Sequence, residues 1–99
     1  MRYIGRLAGT GVLRCDGQEI APTTYDFDCF SAKPAGVTRS GEIRLAALAL
    51  KNVFGRKGVQ LLTDDGRLLD LRFSEKVLLA ASEVAHVEVT GESPDIVQH

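Results

Sequence analysis

Two Asp-Gly dipeptides, Asp16-Gly17 and Asp65-Gly66, each separate runs that alternate apolar and polar residues. The tight turns that match the twist of paired strands need positive φ at their centre, which Asp tolerates and Gly adopts freely. Asp-Gly between alternating runs is therefore a hairpin signal. Two hairpins commit the chain to a β-rich fold.

Register tests what kind of turn each dipeptide makes. With a two-residue turn at Asp16-Gly17, Cys15 faces Gln18, Arg14 faces Glu19, Leu13 faces Ile20 and Val12 faces Ala21. Leu13 and Ile20 then share the core face, and Arg14 with Glu19 makes an opposite-charge pair across the strands. At Asp65-Gly66 a two-residue turn fails, because Asp70 falls opposite Leu61 and Leu71 opposite Gln60. A three-residue loop, Asp64-Asp65-Gly66, restores agreement: Leu69 faces Leu61, Leu71 faces Val59 and Asp70 faces Gln60. Gly66 takes the left-handed position that closes such a loop.

The rest of the chain reads by the same periodicity. Arg2 to Ala8 is a strand, with Tyr3 and Leu7 on one face and Arg2, Ile4 and Arg6 on the other. Gly9-Thr10-Gly11 interrupts it as a bend. Pro22 ends the returning strand of the first hairpin or places it at an edge. Thr24 to Phe30 is a strand with Tyr25, Phe27 and Cys29 inward and Asp26 and Asp28 outward. Ser31 to Ser40 is a loop punctuated by Pro34 and Gly36. Gly41 to Leu45 is a strand with Ile43 and Leu45 inward. Ala46 to Phe54 favours a short helix stopped by Gly55, with a continued strand as the alternative. Val59 to Thr63 and Arg67 to Phe73 flank the second hairpin. Ser74 to Ser82 holds a short helical segment with Ser74 as N-cap and Glu75 in its first turn. Glu83 to Thr90 is the last strand, with Ala85, Val87 and Val89 inward and His86 and Glu88 outward.

The expected fold is all-β: a small antiparallel β-barrel or compact sandwich of about seven strands, with one or two short helical turns. Residues 1–91 make a single domain, and 92–99 a flexible tail from which Ile96 and Val97 can still dock. At 99 residues the chain can bury one core without disulfide or metal staples. Its formal net charge of −1 supplies no overall field toward nucleic acid or an anionic membrane. Cys15 and Cys29 form no Cys-x-x-Cys pair and have no His close in sequence. They read as reduced thiols, with no zinc or redox motif. No apolar run makes a signal peptide, and no stretch spans a bilayer. A cytoplasmic location with no membrane contact is expected.

Several residue groups are weighed for chemistry. Asp26 and Asp28 project from one strand face and offer hard oxygen ligands, but no third acidic ligand accompanies them. A solvated face paired with Arg or Lys accounts for them, and no metal is expected. Asp64 and Asp65 are turn formers first. Arg39, Ser40, Glu42 and Arg44 join the longest loop to a strand. Glu42 and Arg44 share a face. With Asp26 and Asp28 they can build a cross-strand ion-pair network, or recognise a polar ligand or a partner's charged side chain. Arg56 and Lys57 lie between Gly55 and Gly58, a basic turn that can hold a phosphate. That turn lacks the spacing of a nucleotide-binding Gly-rich loop, and an exposed connection explains it. His86 faces outward and His99 is terminal, so alternation opposes a catalytic pair with the inward Cys15 or Cys29. Tyr3, Tyr25, Phe27 and Phe73 read as core, leaving only Phe30 and Phe54 for base stacking.

The function expected is therefore a non-enzymatic binding or interaction module with no cofactor. Its surface is the loop Ser31 to Ser40 and the face bearing Glu42 and Arg44. Its partner is a protein, or a second copy added at an edge strand. The alternative is a nucleic-acid or phosphate binder using Arg39, Arg44, Arg56 and Lys57, which the overall charge disfavours. A small-molecule enzyme or carrier needs a cavity, and a barrel this small fills its interior with side chains.

Overall fold

Alternating apolar residues close into a barrel in the computed structural model, which describes residues 2–32 and 36–93. The strands are β1 (Arg2–Cys15), β2 (Gln18–Ala32), β3 (Gly36–Arg44), β4 (Val59–Thr63), β5 (Leu68–Phe73) and β6 (Val84–Ser93), with helix α1 (Ala47–Val53) between β3 and β4. Neighbours run β1-β2-β3-β6-β5-β4, all antiparallel, and β4 pairs back onto β1. The sheet is a closed barrel of six strands rather than a sandwich.

There are fewer strands than periodicity suggests because the bend at Gly9-Thr10-Gly11 does not occur and Pro22 takes the edge placement instead of ending its strand. β1 passes through Gly9-Thr10-Gly11 without interruption. Gly11 is instead the first residue of β1 to pair with β4. The strands come so close there that a methyl group on Gly11 would overlap the Leu62 carbonyl oxygen. β2 likewise continues through Pro22. β3 pairs with β2 only from Thr24 onward, so β2 has a single neighbour at Pro22 and tolerates the missing N–H.

Both hairpins form, with one correction to the first. Asp16 and Gly17 adopt φ of 53° and 83°, and Cys15 faces Gln18 and Arg14 faces Glu19. A bulge then inserts Ile20, so Leu13 faces Ala21 and Val12 faces Pro22. Arg14 donates to the Gly17 carbonyl at 2.7 Å, and no ion pair with Glu19 forms. The second hairpin keeps its expected register, Leu61 to Leu69 and Gln60 to Asp70, with Gly66 at φ 90°.

A second bulge, between Tyr3 and Gly5, corrects the facing of β1. It places Tyr3 opposite Phe30 and Arg6 opposite Asp28, so Tyr3 and Arg6 share the outer face. Tyr3 is consequently 54% exposed and not part of the core. Most of the expected loop Ser31 to Ser40 is strand. β2 runs to Ala32 and β3 starts at Gly36, so Pro34 lies outside the described residues.

Inward residues of every strand fill the barrel: Leu13, Phe27, Ile43, Leu61, Leu69 and Val87 are fully buried. Each large apolar side chain removed from water contributes about 1.5–3 kcal/mol before entropy is subtracted. Cys15 is buried and Cys29 half-buried, and both are free thiols. Helix α1 has no side-chain N-cap bond. It is held by Leu50 and Val53, which are fully buried, and it stops at Gly55, whose φ is 78°.

The helical segment expected between Ser74 and Ser82 does not form. The reason lies at His86 in β6. Its carbonyl accepts the Ser74 N–H at 3.0 Å, and its N–H donates to the Glu75 carboxylate at 2.9 Å. Ser74 and Glu75 thus serve β6 instead of a helix N-terminus. Glu92 and Ser93, expected in a tail, are the last residues of β6, and Ile96, Val97 and His99 lie outside the described residues.

Candidate functional site

Cross-strand pairing assembles a charged lattice on the outer wall of the barrel. One row runs Arg6, Asp28, Ser40, Glu88, Arg72 across β1, β2, β3, β6 and β5. The next row runs Asp26, Glu42, His86 across β2, β3 and β6. These are outward positions because their strand neighbours, Phe27, Ile43, Ala85 and Val87, point into the core.

The second row and the Arg6, Asp28 and Ser40 part of the first row line an open groove of about 640 Å³, walled by Arg6, Asp26, Asp28, Ser40, Glu42, Ser74 and His86. Its floor at Gly41 depends on close strand packing: a methyl there would overlap the Asp26 carbonyl oxygen. Arg6 reaches past Asp28 and binds Asp26 with two hydrogen bonds, Nε to Oδ1 at 2.7 Å and Nη2 to Oδ2 at 2.6 Å. This fork holds the Asp26 carboxyl below its ordinary range. Glu42 lies 3.5 Å from Nε2 of His86, and Glu75 lies 3.8 Å from Nδ1. Asp28 forms no ion pair among the described residues. Desolvation, then the charge of Asp28 and a hydrogen bond donated to it, raise the Tyr3 hydroxyl above its usual value. Tyr3 stands edge-on to Phe30, with ring centroids 5.4 Å apart. An aromatic pair therefore flanks the Asp28 end of the groove. The groove itself carries three carboxylates, Asp26, Asp28 and Glu42, against one guanidinium, Arg6.

The residues expected to bind are distributed over three places. Ser40 and Glu42 line the groove, and Arg44 borders it in a notch shared with Arg6, Thr24 and Glu42. Arg39 points inward at the opposite end of β3 from α1. Its Nη1 is 2.7 Å from Glu92, which also receives two bonds from Arg67, at 3.1 and 2.9 Å. Glu92 faces inward because it pairs with Leu69. The three residues close one mouth of the barrel with a polar plug. Arg56 and Lys57 lie near the other mouth, where Arg56 contacts Asp16 at 3.5 Å. Arg6 and His86 were not singled out from the sequence as binding residues. Their signal was the outward parity of their strands, and the pairing that brings them together is long-range.

Bonds from Arg67 and then Arg39 hold the Glu92 carboxyl down to about 2, from an ordinary 4.5. A depressed folded value stabilises the native state above the unfolded value, and the gain fades as pH falls from about 4.5 to about 2. Glu92 is partly exposed, so screening limits the effect to about 1 kcal/mol. Glu92→Gln is expected to lower stability at pH 7 by that amount and to flatten its decline below pH 4.5, as read by urea unfolding across pH.

Among the described residues, no three His, Cys, Asp or Glu side chains converge to hold a metal ion. No helix among them is long and apolar enough to cross a membrane. Compared with family models, curated proteins and solved structures, the chain matches none.

Proposed function

We propose that the chain is a non-enzymatic binding module whose outer-wall groove takes a guanidinium or ammonium group from a protein partner. The observation behind this is Asp28, a carboxylate without an ion-pair partner among the described residues, which shares the groove with Glu42 and interacts with the hydroxyl of Tyr3, whose ring pairs with Phe30. A cation entering there gains a charge-assisted hydrogen bond and the face of Tyr3 or Phe30, worth about 0.5–1 kcal/mol for the ring alone. Arginine fits best, since its planar fork suits both a carboxylate and a ring.

The phosphate alternative has less support. Arg39 and Arg56 are engaged with carboxylates, and the four basic residues it needs do not converge. Addition of a second copy at a strand edge also meets resistance. The Arg2 to Gly9 half of β1 has β2 on one side only, but it carries Arg2, Arg6 and a bulge at Ile4, features that discourage edge pairing.

A fluorescein-labelled arginine-rich peptide tests the proposal by anisotropy. The double variant Asp28→Asn/Glu42→Gln is expected to bind it about three- to tenfold more weakly than the wild type. Equal affinity, or tighter binding of an RNA oligonucleotide than of the peptide, contradicts the proposal.

A further inference from the structure

The end of the barrel that carries α1 has a surface of a different character. A groove of about 570 Å³ runs between α1 and the segment that follows β5. Leu48 of α1 forms one wall and Leu79 the other, with Phe54 and Leu78 between them. Leu48 is 83% exposed and Leu79 is 78% exposed. Side chains of this size rarely stand so far into water beside one another without a covering partner. Val77, on the same segment, is 72% exposed.

A second groove, of about 590 Å³, continues from the far side of Phe54. It is bordered by Lys57 and Lys76, while Lys51 lines the first groove. Lys33 lies outside the described residues, so the other three lysines of the sequence all border these two grooves. None of the three forms an ion pair among the described residues. Glu75 is the one carboxylate lining either groove, and it is turned toward His86. An apolar trough edged by uncompensated ammonium groups is complementary to an acidic segment with apolar side chains.

We infer that this trough is a second binding site, separate from the acidic groove, and that it takes an acidic amphipathic helix from a partner protein. The helix lies beside α1 with its apolar stripe between Leu48 and Leu79 and its carboxylates over Lys51, Lys57 and Lys76. Helix-in-groove recognition works in this way, through apolar anchors at i, i+3, i+4 and i+7. A lipid surface fits less well. Leu48 and Leu79 stand on opposite walls of a concavity, whereas a bilayer needs apolar residues on one protruding tip.

The probe is a labelled helical peptide of roughly 14 residues, with leucines at those spacings and glutamates elsewhere. Anisotropy titrations compare the wild type with Leu48→Ser/Leu79→Ser and with Lys51→Glu/Lys76→Glu. All four positions are exposed or at a rim, so these variants are expected to unfold at the wild-type temperature. Each is expected to lose at least tenfold in affinity for the peptide. A peptide with lysine in place of glutamate is expected to bind at least tenfold more weakly to the wild type. Equal affinity of the variants overturns the inference, as does indifference to the sign of the peptide's charge. So does absence of peptide binding by a protein that sediments with phosphatidylserine vesicles. The Asp28→Asn/Glu42→Gln variant is expected to bind this acidic peptide as the wild type does, which keeps the two sites distinguishable.

Discussion

Phe27→Ala is expected to lower folding stability by about 3–5 kcal/mol, a large part of the 5–15 kcal/mol typical of a domain. Phe27 is the largest of the fully buried side chains. It lies on β2, the strand that joins the two longest ladders, and it faces Leu7 on β1 and Gly41 on β3. Truncation removes apolar surface from contact with both sides and leaves a cavity that a closed barrel cannot collapse by sliding one sheet over another. Urea unfolding at neutral pH reads the effect as a lower midpoint with an unchanged slope. A loss below about 1 kcal/mol would place Phe27 outside the core and contradict the inward facing of β2.

Gly41→Ala is expected to cost at least about 3 kcal/mol, the upper end of what added core volume costs. The new methyl would overlap the Asp26 carbonyl oxygen and lie 2.9 Å from Phe27 Cα, and both are backbone atoms that no rotamer change can move. The conformation of Gly41 is not the difficulty, since its φ is not positive. The cost comes from forcing β2 and β3 apart. Ser40→Ala, one residue earlier on the outer face, is expected to change stability by no more than about 0.5 kcal/mol. The pair of variants, measured by thermal or urea unfolding, separates close strand packing from mere proximity to the groove. Because Asp26 and Glu42 are partners across that same ladder, Gly41→Ala is also expected to weaken the proposed cation binding in any fraction that stays folded.

The parts of the fold legible in the sequence are those where two faces had to agree at once. The second hairpin is the clearest example. Only a three-residue loop puts Leu69 opposite Leu61 with Asp70 opposite Gln60, and that register is the one found. The span of α1 follows from its helix formers and the stop at Gly55. Bulges were not legible, because one extra residue shifts facing and pairing at a point where the apolar and polar order of the sequence gives no sign of it. Ile4 and Ile20 are such residues, and they changed the facing of Tyr3 and the partner of Leu13. The segment after β5 misled for another reason. Ser74 and Glu75 have helix-start chemistry, but their hydrogen-bonding groups are spent on His86, which is distant in sequence. The candidate groove was half legible. Asp26, Asp28 and Glu42 are placed by parity alone, whereas Arg6 and His86 join them only through the order in which β1, β2, β3 and β6 pair.

In the proposed function the outer wall of β1, β2, β3 and β6 takes a cationic side chain. Backbone amide NMR during titration with the arginine-rich peptide tests it most directly. The predicted result is a set of shifts confined to the Tyr3–Arg6, Asp26–Phe30, Ser40–Glu42 and His86 amides, diminished by salt and absent in Asp28→Asn/Glu42→Gln. Shifts confined instead to Arg39 and Arg67, or to Arg56 and Lys57, or a groove that stays silent at saturating peptide, would contradict it.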